Sequence, residues 1–580
     1  MKTLRTLLFL VALCGQANAG FPIRLGSAGQ EYGKCAVTDR DGNIVIGMLF
    51  QNTIDFDPGT NTATIGTPPG IDCALAKYTP EGELVWARHV SGVTGASANT
   101  VCTPHGLAVD AQNNIVVVGY FGLAGSATRA SADFDPGPGS LVLTNTGGWD
   151  PFIAKCDPGG NVLWARTFGS VTNSSSDERA WDVAVDAAGN IAVTGYFQGT
   201  FDLDASAAGS NVVTSAGEKD LFLVMYDANG NHVWGFSLND AGDAPTSLKE
   251  SSVAQDAGGR LYLMGHFNGT LDLDPGTGVS NVTSAGDSDM FLARYTSSGA
   301  FERGVRFGGI QGETAPPGTM RVGPDGNLYY TGRFRGIVDL NPGAAVNSVT
   351  NNTVPAADDI FVASLTGDLA FRWGFALASD GGLDGGHRVA FDSLTNLYVT
   401  GWFSGTTDFD GGTGIVGMAS VNTNNASDCF LATYTSGGSF LWARGFGGFT
   451  PTADNLSIPA GLAVDFSGAA YITGQYYGTN VTFYPYTPPA VLPDSLGLND
   501  GFLVKYTSDG QIADHELRLT EISLTATQVN LVWTGAPNVR LQKATNLLSP
   551  DWQDVAGTAG MTNATEPLAA TPVFFRAVLP

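Results

Sequence analysis

The sequence predicts an all-β fold: a seven-bladed β-propeller with four-stranded blades, its ring closed by the N-terminal strand, followed by a small β-sandwich. Three observations predict it. Four short β-rich runs, separated by Asp/Gly/Asn turns, form a unit that recurs seven times. The recurrence holds a phase of about 71 residues across some 490 residues. The seventh copy lacks its fourth run, and a matching run stands near the N-terminus.

The clearest copy runs from Trp181 to Phe236. Asp182-Val183-Ala184-Val185-Asp186 alternates and ends in the turn Ala187-Ala188-Gly189-Asn190. Ile191 to Phe197 forms a second run, Asp220 to Tyr226 a third, and His232 to Phe236 a fourth. Such runs with turn chemistry between them read as an antiparallel meander. The aromatic ending the second run returns at Phe50, Phe121, Phe197, Phe267, Phe334, Phe403 and Tyr476. The Asp opening the third returns at Asp72, Asp150, Asp220, Asp289, Asp359, Asp428 and Asp500. The fourth carries Trp86, Trp164, Trp234, Trp373 and Trp442, with Arg303 in the fourth copy.

A lone four-stranded sheet cannot bury both faces, and sheets packed around an axis can. In the seventh copy Asp514 stands where Trp is expected. Ile23-Arg24-Leu25-Gly26 resembles Arg166-Thr167-Phe168-Gly169, the end of a fourth run. The N-terminal strand is therefore expected to complete the last blade and remove an exposed edge.

These motifs resemble the bacterial SBBP-type β-propeller repeat family. The resemblance rests on Gly106-Leu107-Ala108-Val109-Asp110, Gly326-Asn327-Leu328-Tyr329-Tyr330-Thr331-Gly332 and Asp500-Gly501-Phe502-Leu503-Val504-Lys505-Tyr506. It covers all seven repeats, which are longer than the family's usual unit between runs two and three. It implies a propeller in an extracellular setting and supplies no reaction and no catalytic residues.

Composition agrees with many strands and tight turns: 77 Gly and 14% charged residues. The net charge of −26 repels phosphate backbones, so nucleic acid is not an expected partner. Residues 1–19 read as a signal peptide: Lys2 and Arg5, an apolar Leu7–Leu13, and Ala17-Asn18-Ala19 before Gly20. The apolar run is too short to span a membrane, and no later segment reads as a span. Leu13 before Cys14 disfavours lipid attachment. Cys35, Cys73, Cys102, Cys156 and Cys429 are odd in number, without a CxxC, and read as buried thiols rather than a disulfide framework or zinc site. The expected domains are the signal peptide, a propeller over 20–513, and a module over 514–580. The last resembles fibronectin-III-like C-terminal modules through Arg540-Leu541-Gln542, Thr545-Asn546-Leu547, Trp552 and Phe574-Phe575-Arg576.

The long connections after run two carry a repeated acidic motif. It reads Asp55-Phe56-Asp57-Pro58-Gly59, Asp133-Phe134-Asp135-Pro136-Gly137 and Asp272-Leu273-Asp274-Pro275-Gly276. Shorter forms are Asp202-Leu203-Asp204, Asp339-Leu340-Asn341-Pro342-Gly343 and Asp408-Phe409-Asp410-Gly411, and repeat seven has Thr482-Phe483-Tyr484. Residues two apart on a strand face the same way, so each pair presents two hard oxygen ligands suited to calcium. The same Asp residues also serve as turn formers that bind nearby peptide N–H groups. Both readings stay open at this stage.

No catalytic or cofactor-binding residues are assigned. The six His residues do not recur in every repeat. His105 and His387 share the position five residues before the Asp ending run one, and Trp181 holds it in repeat three. That position lies near a channel mouth, and two His from non-adjacent blades are expected too far apart for one zinc ion. No carboxylate pair stands out for glycoside chemistry, because the Asp residues repeat with the structure. The fourth-run Trp residues read as inter-blade packing. The expected function is a secreted, non-catalytic binding or scaffold module for an extracellular glycan or protein, with calcium as its candidate cofactor. The alternative is an extracellular hydrolase or lyase working at the channel mouth through His105, Trp181 and His387. Nothing in the sequence sets an oligomeric state.

Overall fold

A computed structural model describes residues 21–512 apart from 58–61, 93–100, 124, 126, 136–138, 172–175, 207–208, 218, 240–249, 315, 317, 352–356, 383, 422–426, 450–457, 478, 485–490, 493 and 497–498. Beyond them it describes 518–524, 528–534, 540–544, 553–555, 563–567 and 574–578. The signal-peptide residues, the Pro58-Gly59 and Pro136-Gly137 turns, Asp514, Thr545-Asn546-Leu547 and Trp552 lie outside the described residues.

The chain is an all-β repeat protein, with strands as its only regular elements among the described residues. The third repeat shows the unit: Arg179–Val185, Ile191–Phe197, Asp220–Tyr226 and His232–Leu238 pair in chain order as an antiparallel meander. Its second and third strands are buried at every residue, and the fourth is mostly half-buried. That is why strands two and three read as continuous apolar runs rather than alternating ones: both their faces are covered.

The turns close through Asp side chains. Asp186 Oδ1 accepts from the N–H of Ala188 at 2.9 Å and of Asn190 at 2.7 Å. Asp39, Asp110, Asp392 and Asp465 bind the N–H groups two and four residues on in the same way. Gly189, at φ +86°, takes the left-handed position such a turn requires.

Successive repeats are locked by the fourth-strand Trp. Trp86 Nε1 donates to Pro158 O at 3.1 Å, Trp234 Nε1 to Ser297 O at 3.1 Å, and Trp442 Nε1 to Ser508 O at 3.1 Å. Each acceptor lies in the last turn of the following repeat. Third-strand cations reach the same turns: Lys77 Nζ donates to Pro158 O at 3.4 Å and Lys155 Nζ to Ala228 O at 3.2 Å. Lys505 of the seventh repeat does this to Pro80 O of the first, at 2.7 Å.

The N-terminal strand Ile23–Leu25 occupies the fourth place of the last sheet, beside Asp500–Tyr506. Its register is Ile23↔Leu503, Arg24↔Phe502 and Leu25↔Gly501, antiparallel. Phe21, Ile23 and Leu25 share one apolar cluster with Ile44, Ile46 and Met48 of repeat one and with Tyr471 and Leu503 of repeat seven. The first strands of successive sheets lie side by side from Glu31–Thr38 through to Ile458–Val464, and that last strand again contacts Glu31–Thr38.

The long connection after strand two forms a short hairpin, such as Thr200–Asp202 with Val212–Thr214. It adds to the edge of the preceding repeat: Gly169 pairs with Asp202 and Ser170 with Phe201. Equivalent pairings are Ser91↔Asp133, Gly308↔Asp339 and Gly445↔Tyr484. These hairpins cover strand edges that would otherwise stay open. The C-terminal residues form two three-stranded sheets, one from Arg518–Leu524, Gln528–Thr534 and Asn563–Pro567, the other from Gln553–Asp554, Arg540–Ala544 and Phe574–Val578.

Candidate functional site

The first strand of most sheets carries a one-residue irregularity near its start. The register shifts between Gly33 and Cys35, Pro104 and Gly106, Ala180 and Asp182, Gly386 and Arg388, and Pro459 and Gly461. The extra residues are Lys34, His105, Trp181, His387 and Ala460. A bulge breaks the two-residue alternation and re-aims one side chain. All five line a single cavity of about 410 Å³, framed by the first strands. Glycines beside the bulges let the sheets approach: a Cβ on Gly33 would stand 2.1 Å from Thr473 Oγ1, and one on Gly386 1.9 Å from Thr331 Oγ1.

The cavity gathers cations and aromatic rings. Lys34, Arg333 and Arg388 line it, with Glu250 as a carboxylate and Trp402 beside His387. His105 meets Trp181 edge to face at 4.4 Å between ring centroids and stacks on Tyr120 at 5.4 Å. His387 lies 5.8 Å from Trp402. Trp181 is only 4% exposed. Three polar atoms here are buried without a hydrogen-bond partner among the described residues: His105 Nε2, Trp181 Nε1 and His387 Nδ1. Buried polar atoms normally find a partner, so unmatched ones aimed into a cavity mark a place for a ligand.

Electrostatics follow from burial and crowding. Burial pushes the Lys34 ammonium down to about 8, and nearby Arg388 adds to the effect. Burial likewise takes Arg388 down to about 10. Both imidazoles are held well below their ordinary range, first by burial and then by the surrounding cations Lys34 and Arg388. They are therefore neutral near pH 7, each with one N–H donor and one acceptor. Burial raises the Glu250 carboxyl to about 7, against the pull of Arg333 and Arg388. Below the cavity, Arg321 Nη1 meets Asp182 Oδ2 at 3.0 Å. A smaller cavity of about 20 Å³, lined by His105, Arg388, Asp182 and Arg321, sits there, large enough for about one water.

His105, Trp181 and His387, which sequence reasoning placed near a channel mouth with the two His too far apart to share one zinc ion, all line this cavity. Sequence reasoning missed Lys34, Glu250, Arg333, Arg388 and Trp402. The signal for Lys34 was present, since it stands five residues before Asp39 just as His105 does before Asp110.

The acidic motifs lie elsewhere. None of Asp55, Asp57, Asp133, Asp135, Asp202, Asp204, Asp272, Asp274, Asp408 or Asp410 lines the cavity. They sit on the edge hairpins, where the first Asp of each pair closes the loop. Asp272 Oδ1 accepts from Asp274 N at 3.1 Å and Ser280 N at 2.7 Å. Asp55, Asp133, Asp202 and Asp408 make the same two bonds, to the N–H of the second Asp and of a residue eight or nine positions on. Against the cost of burial, the N–H groups of Asp135 and Leu141 and the Ser140 hydroxyl hold Asp133 below the usual carboxylate range. The second Asp binds on as well: Asp274 Oδ1 accepts from Gly276 N at 2.8 Å and Asp410 Oδ1 from Gly412 N at 2.9 Å. The residue between them is core. Phe56, Leu273 and Phe409 are buried, and their carbonyls accept from Tyr78, Tyr295 and Tyr434. Among the described residues, no three or more His, Cys, Asp or Glu side chains gather as a metal site. The Asp opening a third strand is held by other bonds. It caps its own preceding loop, as Asp289 does by accepting from Ala285 N at 2.9 Å.

No family model matches the chain. An uncharacterized WD repeat-containing protein of Acanthamoeba polyphaga mimivirus is 22% identical over 516 residues, covering 79% of this chain and 35% of that protein. The regulatory protein FlaEY of Caulobacter vibrioides is 25% identical over 220 residues, covering 36% of this chain and 21% of that protein. The chain thus spans about a third and a fifth of the length of these curated relatives. Among solved structures, a protein of unknown function from Dyadobacter fermentans is 11% identical, with 83% of this chain and 97% of that one covered and a TM-score of 0.33. The extracellular domain of a one-component system from B. thetaiotaomicron is 9% identical, with 96% and 99% covered and a TM-score of 0.14. Among the described residues, no helix is long and apolar enough to cross a membrane.

Proposed function

We propose that the chain is a secreted, non-catalytic binding module: a seven-bladed propeller of the SBBP type, closed by its N-terminal strand, with a fibronectin-III-like module at residues 514–580. Its ligand, a glycan or a segment of an extracellular protein, sits in the axial cavity. The observation carrying this reading is the set of bulged residues. Lys34, His105, Trp181, His387 and Ala460 come from five repeats and converge on one cavity that holds unmatched polar atoms. The ring is supported by the Lys505–Pro80 bond, by the pairing of Ile23–Leu25 with the last sheet, and by the contact of the last first-strand with the earliest. The edge hairpins are structural in this reading. Calcium, if bound at their Asp pairs, would act as a clamp on those loops and not at the ligand site. A glycan and protein-fragment binding screen tests the proposal. A ligand whose binding disappears in Trp181→Ala supports it, and a ligand indifferent to Trp181, His105 and His387 overturns the cavity assignment.

A second reading has one specific observation in its favour. His105 and His387 share the cavity, and their neutral rings leave nitrogens without partners that could accept a proton. An extracellular hydrolase or lyase would use them as bases. Chain cleavage of a bound polysaccharide, abolished in His105→Gln or His387→Gln with binding retained, would establish it.

A further inference from the structure

We infer that the ligand of the axial cavity carries an anionic group, a carboxylate or a sulfate ester on a body of about one or two sugar rings, and that Lys34 and Arg388 receive the anion. The inference deepens the cavity-binding proposal and rests on it.

The protein carries a net charge of −26, yet this cavity has the opposite sign. Lys34, Arg333 and Arg388 line it against the single carboxylate Glu250. The Arg388 side chain is buried, with Nε donating to Ala460 O at 2.8 Å. Neither Lys34 nor Arg388 forms an ion pair with a carboxylate among the described residues, and the Lys34 ammonium lies over the Tyr32 ring, at 5.1 Å. Arg333 does have a partner, Asp358 at 3.4 Å, which it shares with Arg335. Lys34 and Arg388 are thus without a direct ion pair, although Asp182 and Glu250 act on Arg388 from farther away. A buried cation without a counter-ion costs stability, and an incoming anion removes that cost.

The rest of the cavity suits hydroxyl groups. Trp181 Nε1 offers a donor, and His105 Nε2 and His387 Nδ1 lie unmatched beside it. Neutral imidazoles both donate and accept, as a sugar hydroxyl does. A volume of about 410 Å³ lies in the range for small organic ligands rather than for a bare ion.

The test is calorimetric titration of the full chain at low and high salt. The probes are a glucuronate-containing disaccharide, a sulfated disaccharide, inorganic sulfate and the neutral disaccharide cellobiose. The expected result is binding of one or both anionic disaccharides, at least tenfold tighter than cellobiose, and weakened by salt. The two anionic arms tell a carboxylate from a sulfate ester. Lys34→Met should weaken binding at least tenfold without lowering the melting temperature. Lys34→Gln should do the same, and Arg260→Met, on an exposed side chain outside the cavity, should not. Cellobiose binding as well as the anionic probes, or Lys34→Met binding unchanged, overturns the anion inference. If that binding is still lost in Trp181→Ala, the cavity proposal stands alone. No binding of any anionic probe at millimolar concentration also overturns the inference. Anion binding that survives both Lys34→Met and Trp181→Ala overturns both readings.

Discussion

The Cys73 and Cys102 thiols, both free and buried, share a hydrogen bond with their sulfur atoms 2.7 Å apart, on strands of the first two repeats. Their spacing of 29 residues, within an odd set of five, offered no reason to pair them. Burial and the neighbouring Cys102 sulfur push the Cys73 thiol well above its usual range, so the folded state disfavours the thiolate. Oxidation is therefore expected during folding, with an oxidant such as a small-molecule disulfide taking up the two electrons and two protons. Refolding in a glutathione redox buffer should give a product two hydrogens lighter, with one Cys73–Cys102 peptide. Closing this loop should add about 3–4 kcal/mol. Cys73→Ser should remove both the peptide and the gain.

Gly26 and Asp500 make a second sharp prediction. A Cβ on Gly26 would stand 2.1 Å from the buried Asp500 Oδ2, and one on Gly169 would stand 2.3 Å from Asp150 Oδ2. The N-terminal strand thus reproduces the fourth-strand geometry of an internal repeat. Gly26→Ala should cost about 1–3 kcal/mol by overpacking, as should Gly169→Ala. Urea unfolding of the two variants would expose a difference. A neutral Gly26→Ala beside a destabilised Gly169→Ala would mean that Ile23–Leu25 is not an equal member of its sheet.

The edge hairpins close on peptide N–H groups, so EDTA and calcium should leave the melting temperature unchanged. A ligand of the native state would raise it. Asp272→Ala removes the acceptor for Asp274 N and Ser280 N and should cost about 1–2 kcal/mol. Asp272→Asn keeps an acceptor oxygen and should cost less. A rise of several degrees in calcium, lost in Asp272→Asn, would instead assign calcium to these loops.

Stability should fall as pH rises above the carboxylate range. Burial raises Glu178 to about 9, Glu313 to about 8, Asp150 to about 7 and Asp384 to about 6. These groups hold protons when folded that the unfolded chain releases above about pH 4 to 4.5. Their contribution is complete below that point and is lost as pH climbs through the raised values, up to about pH 9. Asp39 and Asp110 act oppositely. Bonds from Lys77 and Lys155 outweigh burial and lower them, so their contribution disappears as pH falls below about 3.8. Thermal melts should show a maximum near pH 4–6, and Glu178→Gln should flatten the alkaline arm.

The strand pattern, the turns and the replacement of the missing fourth strand were legible because each rests on local chemistry. Asp186 and Gly189 announce a turn, and Trp234 recurs in five repeats because each of them makes the same contact with its neighbour. The edge hairpins were less legible. Asp272-Leu273-Asp274 looks alike whether it holds a cation or a loop, and only the positions of Ser280 N and Tyr295 distinguish these. The cavity was least legible. Lys34, Trp181 and His387 differ in chemistry and stand far apart in sequence, and Arg388 breaks no pattern. Their convergence depends on a register shift, which alternation of residue types does not display.

The bulge has an evolutionary consequence. A strand residue that obeys alternation is constrained by the packing of two neighbouring sheets, and changing it damages the core. Lys34, His105, Trp181, His387 and Ala460 occupy a slot exempt from that constraint. The scaffold can therefore diversify its recognition chemistry one repeat at a time, from ammonium to imidazole to indole to methyl, while the rest of the repeat stays fixed. Selection, or a designer, can draw a new specificity from a handful of positions without renegotiating the fold.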